Sequence, residues 1–534
     1  MIARKSIIIV ISQFLMRFFG WISLVILANL WGAFSPTALG IIGFAMSFLG
    51  LFTLISDLGF NSAHIKRVSE GKDLGTCLGT YTTIKLILVG IMAAVVIIGI
   101  FIWKNILHQG FTDATTESVI YVFLLYYVFM NLATIGLCTF EGTREVAKRQ
   151  IAAIFENVLK VPLSILVALA GVSIAGVVSI TPKINWPDIL EPLRLFIETH
   201  AIGSLSMAYT FGGLAVLVIC VWFLRKYPWK RPNWDFFKSY SYFAVPVMLI
   251  SIISTINLNI DKVMVGYFWT ATEVGYYFAA QQLIQMLFVF SFALGIVLFP
   301  TLSRYHAQKD FEKIKQTTRL AERYLSMVVM PVIGVIILFV HPVLLIMLNS
   351  SFLPAATVMI VLLVNTIIYD LMIPYQSLIT GMDKPSITAK IGFSMCLLNI
   401  VLAFLFIPQQ GLLSPVGING PAGAATATLI SSLFGFIWLR FTVKKMTGIA
   451  VLQSHTPRHI IAAVGMGGVL YYLNLFFPLI HWYHLIAYSL AGLGIYLAIL
   501  YILREFKKKD LMFFLSLLHP KELLSDIRSE LKTK

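Results

Sequence analysis

The segment NLNIDKVMVGYFWTATEVGYYFAAQQL, residues 257–283, places an aspartate and a lysine, Asp261 and Lys262, side by side near the end of a long apolar run. A charged side chain inside a bilayer costs roughly 2.5–3.5 kcal/mol on insertion scales, so such residues are rare there and mark functional candidates. The fold must therefore explain both how the apolar runs are arranged and why charges are kept within them.

The whole chain has the composition of an integral membrane protein. Of its 534 residues, 59% are hydrophobic and 12% are charged, and the mean hydropathy is +0.88, whereas soluble domains carry about 25% charged residues. Apolar stretches of about 20 residues, enough to cross a bilayer as a helix, recur along nearly the whole chain. The sequence predicts an all-α polytopic membrane protein whose fourteen spans lie near residues 6–31, 38–60, 76–103, 118–140, 150–176, 203–224, 240–267, 274–300, 321–342, 355–380, 387–407, 421–443, 458–479 and 485–503.

Basic residues predict the orientation of these spans. With the amino terminus in the cytoplasm, 33 of the 40 Lys and Arg residues fall on cytoplasmic loops, inner span ends and termini, three fall on outer loops and four within spans. This is a strong positive-inside bias, and adding or removing one span would destroy it. We therefore expect a multi-pass plasma membrane protein with both termini cytoplasmic, and the absence of targeting segments favours a prokaryotic cell.

The first twelve spans read as a duplication of six. The stretches 35–73 and 270–310 both give a short outer turn with Thr and Gly, a span, and a basic inner loop ending in Lys-Asp. The inner turns at Gly142 and Gly381 match in the same way. Matching positions are separated along the chain by 235–239 residues, an interval that we call the repeat offset.

The duplication predicts how the chain is divided. Six is an even number of spans, so the two copies enter from the same side and enclose a cleft around an axis along the membrane normal. The expected units are a first lobe at 1–224, a second lobe at 225–446, two added helices within 447–503 and an amphipathic cytoplasmic tail at 504–534.

Polar side chains at helical spacing inside the spans predict a central cavity between the lobes. Its amino-terminal side would be cationic, which suits a pyrophosphate or an anionic sugar because Arg and Lys bind phosphate. The candidate substrate-binding residues are Arg17, Lys85, Lys160, Lys262, Gln13, Asn257, Gln281, Gln285 and Asn365, and the candidate ion-coupling residues are Asp261, Asp370, Glu156 and Asp57.

Each candidate also has a structural interpretation. Glu156 and Lys160 are four residues apart and can neutralise each other on one helix face. Asp261 and Lys262 can reach interfacial water, Lys262 by extending its long side chain. Asp370 lies some ten residues from either end of its span, so a purely structural interpretation explains it less well.

Three stretches carry a resemblance to a known family: DLGFNSAHIKRVSEGKD at 57–73, EGTREVAKRQIAAIFENVLKVPLSI at 141–165 and NIDKVMVGYFWTATEVGYYFAAQQL at 259–283. Together with fourteen spans and the duplication, they resemble the polysaccharide-transport branch of the multidrug/oligosaccharidyl-lipid/polysaccharide exporter superfamily. The resemblance implies a flippase that moves a polyprenyl-pyrophosphate-linked oligosaccharide to the outer leaflet, with H⁺ or Na⁺ as a possible coupling ion. It also implies that Arg17, Lys85 and Asp261 lie at a central cavity.

Other functions find less support in the sequence. A multidrug/cation antiporter would favour an acidic or aromatic pocket over buried basic residues. A membrane-embedded glycan polymerase or ligase would need an outer loop rich in catalytic groups, and the longest one, about 177–202, holds a few scattered charges and His200. The four dispersed cysteines suggest neither disulfides nor zinc, no P-loop is present, and no basic domain with stacking aromatics indicates nucleic acid. No cofactor or catalytic residue is therefore expected, and the partners are the lipid-linked substrate and membrane lipids.

Overall fold

The computed structural model describes residues 2–106, 114–171, 190–450, 453–479, 481–507, 509–510 and 512 of the chain. Within these ranges the chain is helical and contains no strand, which confirms the predicted all-α class. The amphipathic helix predicted for the tail lies almost wholly outside the described residues. Half of the outer loop predicted at 177–202 lies outside them too, and its second half contains a short helix.

The first six crossing segments are six long helices, accompanied by two short ones. The short helices are α3, which continues the second segment beyond a left-handed turn at Leu58 and Gly59, and α7, which precedes the sixth. The bounds are α1 Ile2–Trp31, α2 Ser35–Asp57, α3 Phe60–Ser69, α4 Leu74–Phe101, α5 Ala114–Gly142, α6 Val146–Ala170, α7 Glu191–Thr199 and α8 Ala201–Leu224.

The next six crossing segments and the two added helices follow the same plan. Segment 8 consists of two consecutive helices, α10 and α11, and the short α13 precedes segment 10. The bounds are α9 Trp234–Phe268, α10 Ala271–Ile284, α11 Phe288–Ala307, α12 Phe311–Leu338, α13 Val340–Met347, α14 Ala356–Gly381, α15 Pro385–Phe406, α16 Gly420–Thr447, α17 His455–Phe476 and α18 Trp482–Ile502.

The helices agree with the predicted spans. Among the described residues, twelve continuous helical stretches are long and apolar enough to cross a membrane, and one of them, Ser12–Asp57, contains most of α1 and all of α2. Segment 8, which is interrupted between Ile284 and Phe288, is not among the twelve. This interruption is a departure from the sequence prediction of a continuous span at 274–300.

Corresponding turns of the two halves share one backbone conformation. Gly71 and Lys309 both have positive φ, and so do Arg144 and Asp383. The two residues of each pair are separated by the repeat offset. A non-glycine residue rarely adopts positive φ, so its recurrence at equivalent turns is specific.

The third segment of each half also begins in the same way. An aspartate carboxylate accepts a hydrogen bond from a backbone N–H three residues later, Asp73 for α4 and Asp310 for α12, as helix N-caps do. The two halves therefore share local chain geometry as well as hydropathy.

The two halves meet where α2 crosses α10. A β-carbon on Gly40 would lie 1.6 Å from the Ala271 carbonyl oxygen, and one on Gly275 would lie 1.9 Å from the Pro36 carbonyl oxygen. Pro36 and Ala271 are themselves separated by the repeat offset, as are the two glycines. The contact is therefore made by the same surface of each half, as at a two-fold axis.

Further contacts join the halves at this end of the molecule, which the basic residues predict to face outward. The hydroxyls of Thr37 and Thr272, another pair at the repeat offset, are 2.8 Å from each other. Asn349, after α13, donates to the carbonyl oxygen of Ala28 at 2.6 Å, and Asn29 donates to that of Met347 at 3.1 Å. We call these contacts and the glycine crossing the outer seam.

The crossing predicts a large cost for the smallest possible side chain. Gly275→Ala should lower the free energy of unfolding by about 1–3 kcal/mol, because the added methyl group meets backbone atoms that cannot rotate away. Thermal unfolding of the purified protein in detergent measures this. The matched control is Gly90→Ala on α4, where a β-carbon meets nothing within 4 Å; its effect should stay below about 1 kcal/mol. Equal melting temperatures for Gly275→Ala and the parent would contradict the packing.

Candidate functional site

Lys85 is held inside the first lobe. Its side chain is fully buried, and Nζ donates to the carbonyl oxygen of Ser56 at 2.7 Å, near the end of α2. The Ser56 hydroxyl in turn donates to Oδ1 of Asn131 on α5 at 2.5 Å. Asp57 follows directly and accepts from the backbone N–H of Asn61 at 3.2 Å. The hydrogen bonds from Lys85 to Ser56 and from Ser56 to Asn131 thus join α4, α2 and α5. The charge of Lys85 lies inside the first lobe.

Glu156 and Lys160 form an ion pair within α6. Lys160 Nζ lies 3.3 Å from Glu156 Oε1, and both side chains are mostly buried. The Tyr126 hydroxyl donates to the same carboxylate oxygen at 3.1 Å, and the Lys160 ammonium lies 5.1 Å from the centre of the Tyr209 ring. The pair is neutralised locally, which matches the structural interpretation of its spacing.

Arg17 links α1 to the interruption of segment 8. Its Nη1 donates to the carbonyl oxygen of Gln285, in the turn between α10 and α11. A side chain that takes a carbonyl oxygen out of the helical ladder is one of the established causes of a break, and this stretch contains neither proline nor glycine. The half-buried Gln13 lies one helical turn before Arg17.

An apolar cavity of about 590 Å³ lies beside this link. From α1 it is lined by Phe14 and Trp21, which lie three residues before and four after Arg17, and therefore on the same helix face. From segment 8 it is lined by Leu283 and Leu287, on either side of Gln285. Residues of α12, α13, α14 and α18 form the remaining wall. The Arg17 guanidinium thus lies beside a cavity whose apolar lining suits a hydrocarbon chain.

Asp261 and Lys262 are both buried in α9 and have separate partners. Asp261 Oδ2 accepts from the hydroxyls of Tyr277 at 2.7 Å and Thr428 at 2.8 Å, and the amide of Asn399, in the orientation that satisfies its bonds, donates to Oδ1 at 3.2 Å. Lys262 Nζ donates to the side chain of Gln281 at 2.7 Å and to a backbone carbonyl oxygen one turn earlier. The carboxylate is therefore held by neutral donors.

Polar side chains continue along α9 from this pair into open space. Ser254 and Asn257 are exposed, and very little of the most apolar part of α9 is buried inside the molecule. The Ser254 hydroxyl donates to the Ser251 carbonyl oxygen at 2.9 Å, whereas an asparagine facing hydrocarbon would be left without a hydrogen-bond partner. The exposure of Asn257 therefore favours a water-accessible space beside α9.

Asp370 is buried at the centre of α14. The Ser291 hydroxyl of α11 donates to its Oδ1, whereas Oδ2 is buried and has no hydrogen-bond partner among the described residues. Oδ1 of Asn365 is likewise buried without a partner there. An unpaired buried acceptor costs about 1–3 kcal/mol, more if charged, so this region can gain free energy by accepting a proton or a cation.

Sequence reasoning missed a buried ion pair in the second lobe. Glu322 on α12 and Arg440 on α16 are both fully buried and joined by two hydrogen bonds, at 2.9 and 3.1 Å. The Tyr375 hydroxyl donates to Glu322 as well, and the Arg440 guanidinium lies 4.2 Å from the centre of the Tyr375 ring. A signal was available, because Glu322 follows Lys85 at the repeat offset.

The described structure thus brings Arg17 to Gln285, Lys262 to Gln281, and Glu156 to Lys160, but distributes these groups among separate contacts. Lys85 and Asp370 each have a partner of their own within one lobe. Each charge buried within a crossing segment has a polar partner close to it, as the cost of burial in hydrocarbon requires. The role of each candidate remains a prediction.

The pair Glu322–Arg440 predicts strong destabilisation when one partner is removed. Glu322→Ala should cost about 3–5 kcal/mol, because a buried guanidinium loses its counter-charge, while Glu322→Leu with Arg440→Met should recover much of this loss. Thermal unfolding measures both variants. Glu312→Ala, which breaks the exposed pair with Lys315, is the control and should change stability by less than about 1 kcal/mol. A single variant as stable as the parent would show that the pair is dispensable.

Comparison with known proteins finds similarity to polysaccharide biosynthesis proteins and to flippases and transporters. Two family models, each described as a polysaccharide biosynthesis protein, match residues 2–181 and 198–357, together more than half of the chain. Over 473 residues the chain is 20% identical to the probable low-salt glycan biosynthesis flippase Agl15 of Haloferax volcanii, covering 88% of this chain and 89% of the relative. It is 24% identical over 280 residues to a putative O-antigen transporter of Shigella flexneri, covering 51% of this chain and 64% of the relative.

Solved structures share the fold. The lipid II flippase MurJ in an inward closed conformation superposes with a TM-score of 0.71 at 15% identity, covering 94% of this chain and 99% of that one. An inward-facing multidrug resistance MATE family transporter of the MOP superfamily gives a TM-score of 0.62 at 12% identity, covering 80% of this chain and 96% of that one. At such identities these likenesses establish architecture alone.

Proposed function

Because the chain belongs to the polysaccharide-transport branch of the multidrug/oligosaccharidyl-lipid/polysaccharide exporter superfamily, we propose that it is a flippase for a polyprenyl-pyrophosphate-linked oligosaccharide. It would move this lipid from the cytoplasmic to the outer leaflet of a prokaryotic plasma membrane, for surface polysaccharide or glycan synthesis. The observation that carries the proposal is the relative named as a glycan biosynthesis flippase, which aligns with 88% of this chain. Both termini would be cytoplasmic, as the basic residues predict.

The outer seam supports transport by alternating access. It joins the lobes through a glycine crossing and a few hydrogen bonds, so opening it exposes backbone and hydroxyl groups that water can bind. Such a contact is compatible with two discrete arrangements of packed lobes, which is what alternating access requires. In the arrangement described here the outer seam is closed.

The contact between Arg17 and segment 8 supports binding of an amphiphile. A guanidinium can grip a pyrophosphate through parallel hydrogen bonds, and the adjacent cavity of about 590 Å³ is lined by apolar side chains that suit the lipid portion. Arg17 would exchange the Gln285 carbonyl oxygen for phosphate oxygens, and release of that carbonyl would change the geometry of the interruption. Lys85 would act from the lobe wall, by holding α2 against α4 and α5.

The carboxylates supply candidates for energy coupling. Asp370 has one unpaired buried oxygen among the described contacts, and Asp261 is held by neutral donors, so both could take up H⁺ or Na⁺. Moving one charge through a membrane potential is worth about 2.3 kcal/mol per 100 mV. Coupling to either ion would let the potential bias the exchange between the two arrangements.

The second candidate function is multidrug/cation antiport, since a MATE transporter shares the architecture of this chain. Deletion of the gene in its host distinguishes the two. A flippase predicts accumulation of a lipid-linked oligosaccharide on the cytoplasmic leaflet and loss of the corresponding surface glycan, measured by lipid extraction and by surface labelling. Unchanged surface glycans together with increased sensitivity to cationic drugs would favour the antiporter and refute the flippase.

The proposed site roles predict distinct defects. Arg17→Ala and Lys85→Ala should each abolish glycolipid transport in reconstituted vesicles with expression unchanged. Asp370→Asn should retain transport but lose its response to an imposed H⁺ or Na⁺ gradient, because the neutral amide cannot take up either cation. Lys104→Ala, which breaks an exposed pair with Glu117, is the control and should transport normally. Normal transport by the Arg17 variant would remove Arg17 from the substrate path, and normal transport by the Lys85 variant would show that its contact with α2 is dispensable for transport.

A further inference from the structure

A pocket of about 450 Å³ lies between α3 and the beginning of α9, at the membrane face that carries most of the basic loops. The first lobe contributes Lys66 and Arg67 to it, and α9 contributes Tyr242, Phe243, Pro246 and Val247. The site is thus formed by both halves of the molecule. None of the residues predicted for transport belongs to it.

The positive charges in and beside this pocket outnumber the carboxylates that pair with them. Glu70 is the carboxylate shared by Lys66 at 3.9 Å, Arg67 at 2.9 Å and Lys72 at 4.0 Å. The hydrogen bond from Arg67 lowers the pKa of Glu70, so this carboxylate is ionised at neutral pH and offsets one positive charge of three. The remaining charge is accessible, because Lys66 and Lys72 are about two-fifths exposed.

The positions of the two main cations are fixed differently. Arg67 is fastened, since Nη2 donates to the carbonyl oxygen of Ser239 at 2.8 Å and Nη1 is bound to Glu70, while its Nε is buried without a partner among the described residues. The Lys66 ammonium lies 4.1 Å from the centre of the Phe243 ring. Lys66 can therefore turn towards an anion in the pocket while Arg67 keeps α3 and α9 together.

An apolar ridge leads away from these cations along α9. Tyr242 at the rim is 86% exposed, and Val245 and Leu249, three and seven residues further on, are each 61% exposed. These three positions share one helix face. Exposed aliphatic side chains on a crossing helix contact hydrocarbon, and an exposed tyrosine at its beginning belongs at the headgroup level. A ligand matching both features is anionic at one end and hydrocarbon at the other.

We propose that this pocket binds an anionic phosphate-bearing lipid at the contact between the two lobes. The lipid is a glycerophospholipid: Lys66 contacts the phosphate, Tyr242 covers the glycerol, and an acyl chain lies against Val245 and Leu249. The site is separate from the Arg17 link. A lipid bound here contacts both α3 and α9 and so stabilises their association. Its occupancy would depend on the anionic lipid content of the leaflet.

Lipid retention by the purified full-length protein tests this site. The probe is phosphatidylglycerol titrated into mixed micelles, with bound lipid counted by native mass spectrometry. Lys66→Gln should weaken its retention about fivefold, from the loss of one cation near an anionic headgroup, and Tyr242→Ala should also weaken it. The matched control is Lys313→Gln, since Lys313 also pairs with a carboxylate and lies near a tyrosine ring but lies outside the pocket; its retention should equal that of the parent.

Two further arms identify the ligand. Phosphatidylcholine should bind much more weakly and without dependence on Lys66, and millimolar inorganic phosphate should fail to displace phosphatidylglycerol, because it lacks the hydrocarbon contacts. Retention unchanged in both Lys66→Gln and Tyr242→Ala would overturn the site, and displacement by inorganic phosphate would overturn its assignment to a lipid. No transport is measured, so failure of the flippase proposal would leave this result standing, and the reverse also holds.

Discussion

The backbone contact between α2 and α10 at Gly40 and Gly275 is the constraint on which the arrangement of the lobes depends. It leaves no volume for a side chain at either glycine. The two glycines are equivalent positions in two copies of one six-segment unit. Of the two helices of segment 8, α2 packs extensively against α10 but not against α11. The two lobes are therefore held together at the end where the glycines lie, and a path that leaves the protein between the lobes at that end must open this contact.

Burial in hydrocarbon governs the polar groups in the same way throughout. The charges described above within crossing segments have each acquired a neighbour: a backbone carbonyl oxygen for Lys85 and Arg17, a carboxylate for Lys160 and Arg440, neutral hydroxyls for Asp261. The free energy needed to replace the present partner by another ligand differs from one charge to the next. Glu322 accepts two hydrogen bonds from Arg440 and one from Tyr375 and so joins α12, α14 and α16, whereas the Arg17 contact is a bond to a carbonyl oxygen beside an apolar cavity. The second kind is the one that a substrate can replace, and so the structure favours Arg17 over the better-paired charges.

Patterns that depend on composition and on local chain geometry could be predicted from the sequence. Fourteen segments, the all-α class and the duplication follow from hydropathy, from the bias of basic residues and from the turns at Gly142 and Gly381, and the recurrence of positive φ at Arg144 and Asp383 supports the same repeat. Long-range contacts could not be predicted. The interruption of segment 8 depends on Arg17, 268 residues away, and the partner of Glu322 lies 118 residues further along the chain. The spacing of Glu156 and Lys160 was compatible with two interpretations, and only the 3.3 Å separation of their charged atoms distinguishes them.

The central claim is that glycolipid crosses the membrane when the lobes open at the outer seam. The hydroxyls of Thr37 and Thr272 are 2.8 Å apart, so cysteines at both positions can form a disulfide there. The decisive measurement is the appearance of polyprenyl-pyrophosphate oligosaccharide on the far leaflet of vesicles that contain the purified double variant. The account predicts transport under reducing conditions, arrest on oxidation and recovery on reduction. Equal transport by the oxidised and reduced protein, with the cross-link confirmed by mass spectrometry, would contradict it.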